Sequence, residues 1–462
     1  MKSFEQNLLS GNIVASVWKF SWPVVLMNLI NGVHGIIDQI LVGHYVPGDA
    51  ANAAIGMSWT VFLVVFVTLG SLFHGMAVYI AQYAGTQDRE NMNRVLFHTF
   101  LGATYLVLLV IAPVGYLLAP HIMDIMNATA ETKMHATPYL RILFTSGLTL
   151  SFNFMLGMAF QSSGDSRTPL YLVTMTTLLN VLISTILISG AGPFEPMGTT
   201  GAALGTCLAP IPSLILGFYL ILTRKAVLGP PAEWAFLPDM EILRKTTRIG
   251  IYTAGHAVAL NIGGILLYWF IGSLESGESA QAAYTICYAQ LFSMVTWAGL
   301  GLRGAASTLI GQNIGAGQIE RGRRSVHIAT AMGAIWAILC GGVFWLAPGL
   351  LLSVFDASDQ VMVFGSDLLR YLGISGVFLV ASLALTGGLI GAGDTFKPMV
   401  IAMVTQIGIL LGLCWIFQWM GVLSTSTIWL SILVSHTSRF ILTAIVFERG
   451  SFSSLVADVK TG

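Results

Sequence analysis

Long apolar runs constrain the fold of this chain more than any other feature. About a dozen of them reach 20 or more residues, enough for an α-helix to cross the hydrocarbon core of a bilayer. Of the 462 residues, 55% are hydrophobic and 9% are charged, whereas about a quarter of a soluble domain is charged. Backbone groups in lipid must bond internally, which favours helices. The sequence predicts an all-α membrane protein with twelve transmembrane helices at 16–42, 52–83, 94–119, 137–162, 169–190, 199–222, 248–273, 280–311, 325–352, 364–390, 397–420 and 425–447.

The basic residues are distributed unevenly among the predicted loops. Most of the 21 Lys and Arg lie at the termini and in alternate loops, whereas the opposite loops contain Lys133, Glu275 and Glu278. Because cytoplasmic loops are enriched in Lys and Arg, both termini are predicted to be cytoplasmic in a multi-pass protein of the inner membrane. A net charge of zero gives no indication of a nucleic-acid partner. The four cysteines lie in apolar runs without metal-ligand spacing, which predicts packing roles.

The second half of the chain repeats the first. QSSGDSRTP and IGAGDTFKP share G-D-x-x-x-P, which begins at Gly164 in the first half and at Gly393 in the second. YLRILFTSG matches LLRYLGISG at the same offset, and AQYAGTQDRENMNR matches GQNIGAGQIERGRR at nearly the same one. An offset of six helices implies two parallel bundles with a ligand site between them. We therefore predict an N-lobe at 1–222 (helices 1–6), a cytoplasmic linker at 223–248 and a C-lobe at 249–462 (helices 7–12).

The G-D-x-x-x-P element allows two interpretations. In the local one, the glycine ends a helix, the aspartate caps the next helix and the proline lies in its first turn. In the functional one, Asp165 and Asp394 belong to an ion pathway or to a latch with basic residues such as Arg167. Both copies have the aspartate in the same loop, which favours the capping interpretation.

The order of these motifs resembles the multidrug and toxic compound extrusion (MATE) family over essentially the whole chain. Further matching stretches are FSWPVVLMNLINGVHGIIDQILVGHY in the first helix, LLNVLIS in the fifth and GTTGAALGT leading into the sixth. The resemblance implies a V-shaped transporter of two six-helix lobes that exports organic, often cationic, compounds in exchange for H⁺ or Na⁺. A flippase for a lipid-linked cell-envelope precursor is the alternative. An enzyme is not expected, because the chain has no nucleophile–base pair, metal motif or phosphate loop.

Polar residues interrupt the first helix on one face. At about 100° per residue, Asn28, Asn31, His34 and Asp38 fall within roughly 120° of one another. A carboxylate in mid-membrane costs about 2.5–3.5 kcal/mol on insertion scales, so it should face protein or water. Asp38 is the one acid that we place well inside a predicted span, and it can bind a proton or a metal ion. A structural pairing of Asp38 with His34 or an asparagine is the alternative.

The family resemblance extends this site within the N-lobe. Asp38 matches the first-helix acid that members use for cation coupling, and Asn180 matches a fifth-helix asparagine in the same cavity. Ser184 stands where some members have a second acid, and Thr206 matches a position in the sixth helix. The repeat partner of Asp38 is Leu267, so coupling is expected in the N-lobe alone. The scarcity of carboxylates favours H⁺ over Na⁺ as the coupling ion, because Na⁺ prefers several oxygen ligands. No cofactor is expected besides the coupling ion.

The remaining site candidates are substrate contacts. Aromatic side chains can stack against an organic cation, and polar ones can orient it, but ordinary packing is the alternative for each. The expected partners are small organic substrates and the lipid bilayer, with no obligate protein partner evident. The candidates for substrate binding are Asn28, His74, Asn153, Tyr288 and Phe292.

Overall fold

The computed structural model describes residues 8–46, 49–126, 128–355 and 358–455, without the side chains of 33–40, 42–44, 49–50, 52, 63–68 and 71. Helices dominate this part of the chain because its apolar runs are hydrophobic on all sides, as expected for spans in lipid. They are α1 Ile13–Tyr45, α2 Asp49–Gly85, α3 Arg89–Ile125, α4 Ala130–Thr145 with Gly147–Ser162, α5 Arg167–Ser189, α6 Gly198–Leu222, α7 Met240–Gly272, α8 Gly277–Leu291 with Ser293–Gly315, α9 Ile319–Leu346, α10 Asp359–Gly391, α11 Phe396–Trp419 and α12 Thr425–Arg449.

Each predicted transmembrane helix overlaps one of these twelve, so the predicted fold class is confirmed. By length and composition, nine described helices can cross a membrane, and eleven can if α4 and α8 each count as one bent span. The helix α2 has 37 residues and overlaps the predicted span at 52–83. Large apolar side chains such as Trp419 and Leu346 are 89% exposed, which is favourable on a surface that faces lipid.

Several helices depart from regular α geometry. The two segments of α4 meet at 54° and those of α8 meet at 41°. Wider π-helical turns occur at Val107–Ile111, Thr285–Leu291 and Val404–Leu411. A π turn offsets the side chains after it and often occurs at a functional site, which makes α3, α8 and α11 candidates for one.

The chain forms two compact units that do not coincide with its two sequence halves. Among the described residues, the first unit comprises Ile30–Ile251, and the second comprises 8–29 and 252–455. The helix α1 therefore divides between Leu29 and Ile30, and α7 divides between Ile251 and Tyr252. The lobe boundaries predicted at 1–222 and 249–462 stay a prediction.

Both G-D-x-x-x-P turns have the geometry of helix caps. Gly164 and Gly393 adopt φ values of +98° and +88°, a backbone conformation that glycine adopts without steric cost. The Asp165 carboxylate accepts hydrogen bonds from the backbone N–H of Thr168 at 3.0 Å and from its hydroxyl at 2.8 Å. Asp394 accepts one from the backbone N–H of Lys397 at 3.4 Å. These bonds agree with the capping interpretation, although Asp394 also forms an ion pair with Lys397 at 2.5 Å.

The polar linker packs along α3 within the first unit. Arg94 donates to the Asp239 carboxylate at 2.7 Å, and the backbone N–H of Asp239 donates to the Nδ1 atom of His98 at 3.1 Å. Burial alone would raise the pKa of Asp239, but backbone donors at Ile242 and Glu241 and the Arg94 guanidinium outweigh it and lower that pKa. These bonds hold Asp239, at the start of α7, against α3.

Candidate functional site

Three of the predicted coupling residues meet in the first unit. Asn180 and Ser184 lie one turn apart on α5, so they share a face, and Thr206 lies on the neighbouring α6. All three side chains are buried, and Asn180 is only 1% exposed. The Nδ2 atom of Asn180 lies 3.3 Å from the Ser184 hydroxyl oxygen and 3.4 Å from that of Thr206. The structure thus assembles an amide and two hydroxyls from a short and largely apolar stretch of sequence.

A glycine allows this close packing of α5 and α6. A Cβ atom on Gly205 would lie 2.1 Å from the Ser184 hydroxyl oxygen and 2.9 Å from the Ser184 Cα. Any larger residue would separate the two helices, and the amide of Asn180 would lose contact with Thr206. The GTTGAALGT motif therefore supports the polar cluster as well as the helix contact.

The cluster has an unused acceptor. The Oδ1 atom of Asn180 is buried and has no hydrogen-bond partner among the described residues. Leaving such an oxygen unpaired costs about 1–3 kcal/mol. The Thr206 hydroxyl donates to the carbonyl of Ala202 at 3.0 Å, so its proton is directed away from the Asn180 amide. Chemically, the cluster offers neutral oxygen atoms to a proton donor or a hard cation.

The other predicted coupling residues are less well defined. The helix α1 passes through His34 and Asp38, but their side chains lie outside the described residues. Asn31 is exposed and belongs to the first unit. The roles of all three stay predictions.

The predicted substrate contacts are divided between the units. Asn28 belongs to the second unit, where its Nδ2 atom donates to the carbonyl of Val24 at 2.9 Å. His74 and Asn153 are half-buried in the first unit, and the Nδ1 atom of His74 lies 2.7 Å from the carbonyl oxygen of Gly70. Any polar residue in a membrane helix can make such a contact with the backbone of its own helix. These contacts therefore neither support nor exclude a role in substrate binding.

Tyr288 and Phe292 lie in a row of aromatic rings in the second unit. The ring centroids of Tyr288 and Phe292 are 5.4 Å apart, and Tyr284 stacks on Tyr288 at 4.9 Å. Trp429 also stacks on Tyr284 at 6.2 Å, and His436 stacks on Phe292 at 6.4 Å. This aromatic row extends along α8 and α12.

A second polar cluster was not predicted as a site. Arg439 on α12 is 5% exposed; its Nε atom donates to the Thr405 hydroxyl at 3.1 Å, and its Nη2 atom donates to Gln406 Oε1 at 2.6 Å. The Ser435 hydroxyl donates to the backbone carbonyl of Thr405 at 2.8 Å. The sequence signal that could have indicated this cluster is the presence of two polar stretches, TQ at 405–406 and SHTSR at 435–439, inside otherwise apolar runs.

Among the described residues, neither a metal cluster nor an apolar pocket in the first unit adds candidates. In the described ranges, no group of three or more His, Cys, Asp or Glu residues could hold a metal ion. A pocket of about 560 Å³ in the first unit is lined by apolar atoms of residues such as Val110, Ile122 and Phe144. None of the predicted site residues lines it.

Long apolar helices in two repeats, with buried polar groups inside each unit, define a polytopic helical transporter. The family model MatE matches residues 23–186 and again residues 253–416, so each half of the chain contains one copy. The chain therefore belongs to the MatE family, as its motifs predicted. The spacing of the two matches also agrees with the offset of the internal repeat. Members of this family are transporters rather than enzymes, act on small compounds as single chains and need no cofactor.

Named relatives agree with this assignment. The chain is 25% identical to "Probable multidrug resistance protein NorM" of Thermotoga maritima over 394 residues, which is 84% of this chain and 82% of the relative. It is 23% identical to "Multidrug export protein MepA" of Staphylococcus aureus over 81% of this chain and 79% of that protein. The chain is thus a multi-pass membrane protein of a multidrug efflux family, and the flippase alternative receives no support from these relatives.

Solved structures show the same fold. An outward-facing multidrug resistance MATE transporter of the MOP superfamily has a TM-score of 0.88 at 19% identity, over 97% of this chain and 98% of the other. A MOP superfamily transporter from Pyrococcus furiosus, described by the reverse polarity of its binding pocket, gives the same TM-score, identity and coverage. At this level of identity, the likeness concerns the fold alone.

Proposed function

We propose that the chain is a secondary antiporter that exports organic, cationic or amphipathic compounds in exchange for H⁺ or Na⁺ by alternating access. The observation that carries the proposal is the buried cluster of Asn180, Ser184 and Thr206, whose amide oxygen has no partner among the described residues. Buried polar groups in a membrane protein are costly and typically mark an ion or substrate pathway. The coupling ion is proposed to be H⁺, because Asp38 is the one carboxylate that the sequence places well inside a predicted span.

The proposed cycle depends on the charge of Asp38. When Asp38 binds a proton, it loses its negative charge and its attraction for a cationic substrate. The first helix, which contains Gly32 and Gly35, then changes shape and releases the substrate on the outer side. Release of the proton to the cytoplasm restores the charge and the affinity for the next substrate. Asn180, Ser184 and Thr206 supply polar contacts that stabilise one of the two protonation states.

The orientation and the lobes belong to the same proposal. Both termini and the linker at 223–248 are proposed to lie in the cytoplasm because they are rich in Lys and Arg, with the protein in the inner membrane. An N-lobe and a C-lobe of six helices each provide the two bodies that alternating access requires. The remaining proposed contacts of the ion or the substrate are Asn28, Asn31, His34, His74, Asn153, Tyr288 and Phe292.

Transport in proteoliposomes tests this function directly. With the purified chain reconstituted, a vesicle with an acidic lumen is expected to accumulate ethidium, since protons that leave the lumen drive the dye in. A protonophore should abolish the accumulation, and empty liposomes should show none. A sodium gradient at uniform pH forms the second arm. Accumulation driven by sodium alone would reassign the coupling ion, and accumulation under neither gradient would contradict antiport.

The Asn180→Leu variant separates a coupling role from a structural one. We expect the melting temperature in detergent to be unchanged or higher, because leucine removes a buried oxygen that no described residue satisfies from a helix contact. Proton-driven dye accumulation should nevertheless fall several-fold, since the polar contacts to Ser184 and Thr206 are lost.

The matched control for Asn180 is Thr176→Val, one turn earlier on α5. The Thr176 hydroxyl donates to the Ser213 hydroxyl at 2.8 Å, so its loss should cost about 0.5–1.5 kcal/mol of stability. Transport per folded molecule should not change in this control. Equal transport losses in both variants would reduce Asn180 to a packing residue.

A further inference from the structure

The second unit contains a buried guanidinium that has no carboxylate partner among the described residues. Arg439 is the fifteenth of 25 residues in α12, so it lies roughly 15–20 Å from either end of the helix, near the middle of the span. Its two hydrogen bonds go to the neutral oxygens of Thr405 and Gln406. A buried charge compensated only by neutral groups is costly, because two such bonds replace only part of its hydration.

The fold itself does not require this charge. The corresponding helix of the first repeat, α6, contains no Lys, Arg, His, Asp or Glu from Gly198 to Leu222, yet it packs against α5 as α12 packs against α11. Thr176 of α5 and Thr405 of α11 occupy equivalent positions in the two repeats, so the threonine that binds Arg439 has a counterpart while the arginine has none. The arginine is therefore a specific addition to one copy of the fold.

Local backbone geometry directs polar groups toward Arg439. Thr405 and Gln406 lie in the π-helical turn Val404–Leu411. A Cβ atom on Gly263 of α7 would lie 2.2 Å from the Cγ atom of Gln406, so only glycine leaves room for this side chain. The Gln406 amide nitrogen has no acceptor among the described residues, and its donors are available beside the guanidinium.

A second polar group lies beside the arginine. His436 stands one turn before Arg439 on α12, is 3% exposed, and its buried Nδ1 atom has no hydrogen-bond partner among the described residues. Its ring stacks nearly parallel to Phe292, with 10° between the planes. Tyr288, in the π-helical turn Thr285–Leu291, continues the aromatic row from Phe292. A cationic fork, two further polar groups and apolar rings thus converge within one unit.

We propose that this cluster is a binding site for the carboxylate of an aromatic organic acid, with Arg439 as the anchor. A planar guanidinium matches the two oxygens of a carboxylate, and the attraction is strong where water is excluded. Gln406 and His436 supply additional hydrogen bonds, and Tyr288, which is half-buried, contacts the ring of the ligand. The site extends the cargo from organic cations to organic anions. Binding stands independently of antiport, and only transport of the acid rests on the proposed function.

Equilibrium binding of benzoate to the purified full-length chain in detergent tests the site. Isothermal titration calorimetry should show saturable binding of benzoate and none of benzamide, which has the same shape without the charge. The Arg439→Gln variant should weaken benzoate binding by about 10- to 100-fold, since it loses a charge-assisted hydrogen bond. Arg439→Lys retains the charge without the fork and should give an intermediate loss. Arg370→Gln, an exposed arginine of α10, is the matched control and should bind like the wild type.

Several results would overturn the site. Equal binding of benzoate and benzamide would show recognition by the rings alone, and wild-type affinity in Arg439→Gln would exclude the anchor. If chloride bound in a way that depends on Arg439 and benzoate did not bind, the site would be one for a simple anion and not for a carboxylate. If Arg439→Gln elutes as an aggregate, Arg439→Lys and Gln406→Leu serve instead, and wild-type affinity in both would contradict the proposal. None of these readouts uses a gradient, so failure of antiport leaves them unaffected.

Discussion

Proteoliposomes that contain the Asp38→Asn variant are expected to show no pH-driven dye accumulation above that of empty vesicles. Asparagine keeps the size and polarity of the side chain but cannot gain or lose a proton in this pH range. A carboxylate inside a span otherwise costs about 2.5–3.5 kcal/mol on insertion scales, so its removal should not impair folding. The measurement is the initial rate of ethidium uptake at matched protein density.

Two comparisons make the Asp38 result specific. Glu278→Gln removes an exposed acid in the first turn of α8 and should transport like the wild type. The melting temperature of Asp38→Asn should equal or exceed that of the wild type, so that lost transport is not lost protein. Undiminished uptake in Asp38→Asn would exclude this residue as the coupling acid and would shift attention to His34 and to the cluster around Asn180.

The second large effect concerns the glycines that join α8 and α10 in the second unit. A Cβ atom on Gly387 would lie 2.0 Å from the carbonyl oxygen of Arg303, and one on Gly391 would lie 2.1 Å from that of Ser307. The backbones of the two helices touch along one turn, as small residues allow in membrane bundles. Gly387→Ala and Gly391→Ala should each cost about 1–3 kcal/mol, because backbone atoms rather than flexible side chains must move.

Thermal unfolding in detergent checks the glycine prediction. The double variant should give little monodisperse protein, and each single variant should melt several degrees below the wild type. Gly264→Ala and Gly412→Ala are matched controls inside helices, because an added Cβ there meets nothing within 4 Å. They should be neutral or slightly stabilising, since alanine favours a helix by about 1 kcal/mol over glycine. Equal melting temperatures for all four single variants would contradict close backbone packing.

Much of the architecture was predictable because its signals are local. Helix positions follow from the length of apolar runs, and the repeat follows from direct comparison of the two halves. The cluster of Asn180, Ser184 and Thr206 was also predictable: a spacing of four places the first two on one face, and the family motif supplied the third. The capping role of Asp165 followed from the glycine before it and the proline after it, all within one short motif.

What escaped prediction depends on contacts between distant residues. Arg439 meets Thr405 and Gln406 across 34 and 33 residues of chain, and nothing in the sequence states that α11 and α12 face each other at that depth. The residues of the π-helical turn that contains Thr405 do not differ in type from those of an ordinary apolar α-helix. The division of α1 after Leu29 also has no signal, because the residues on both sides belong to one continuous helix.

That division of α1 has a consequence for biosynthesis. Leu8 and Val25 are synthesised long before the residues that they contact: Leu8 accepts hydrogen bonds from Asn313 and Arg321, and Val25 packs against Gly301. This part of the chain must therefore wait without these contacts until α8 and α9 have been synthesised. A chain cut in the linker would give two fragments, each carrying a segment that belongs to the unit of the other. The two halves that arose as repeats can no longer mature independently.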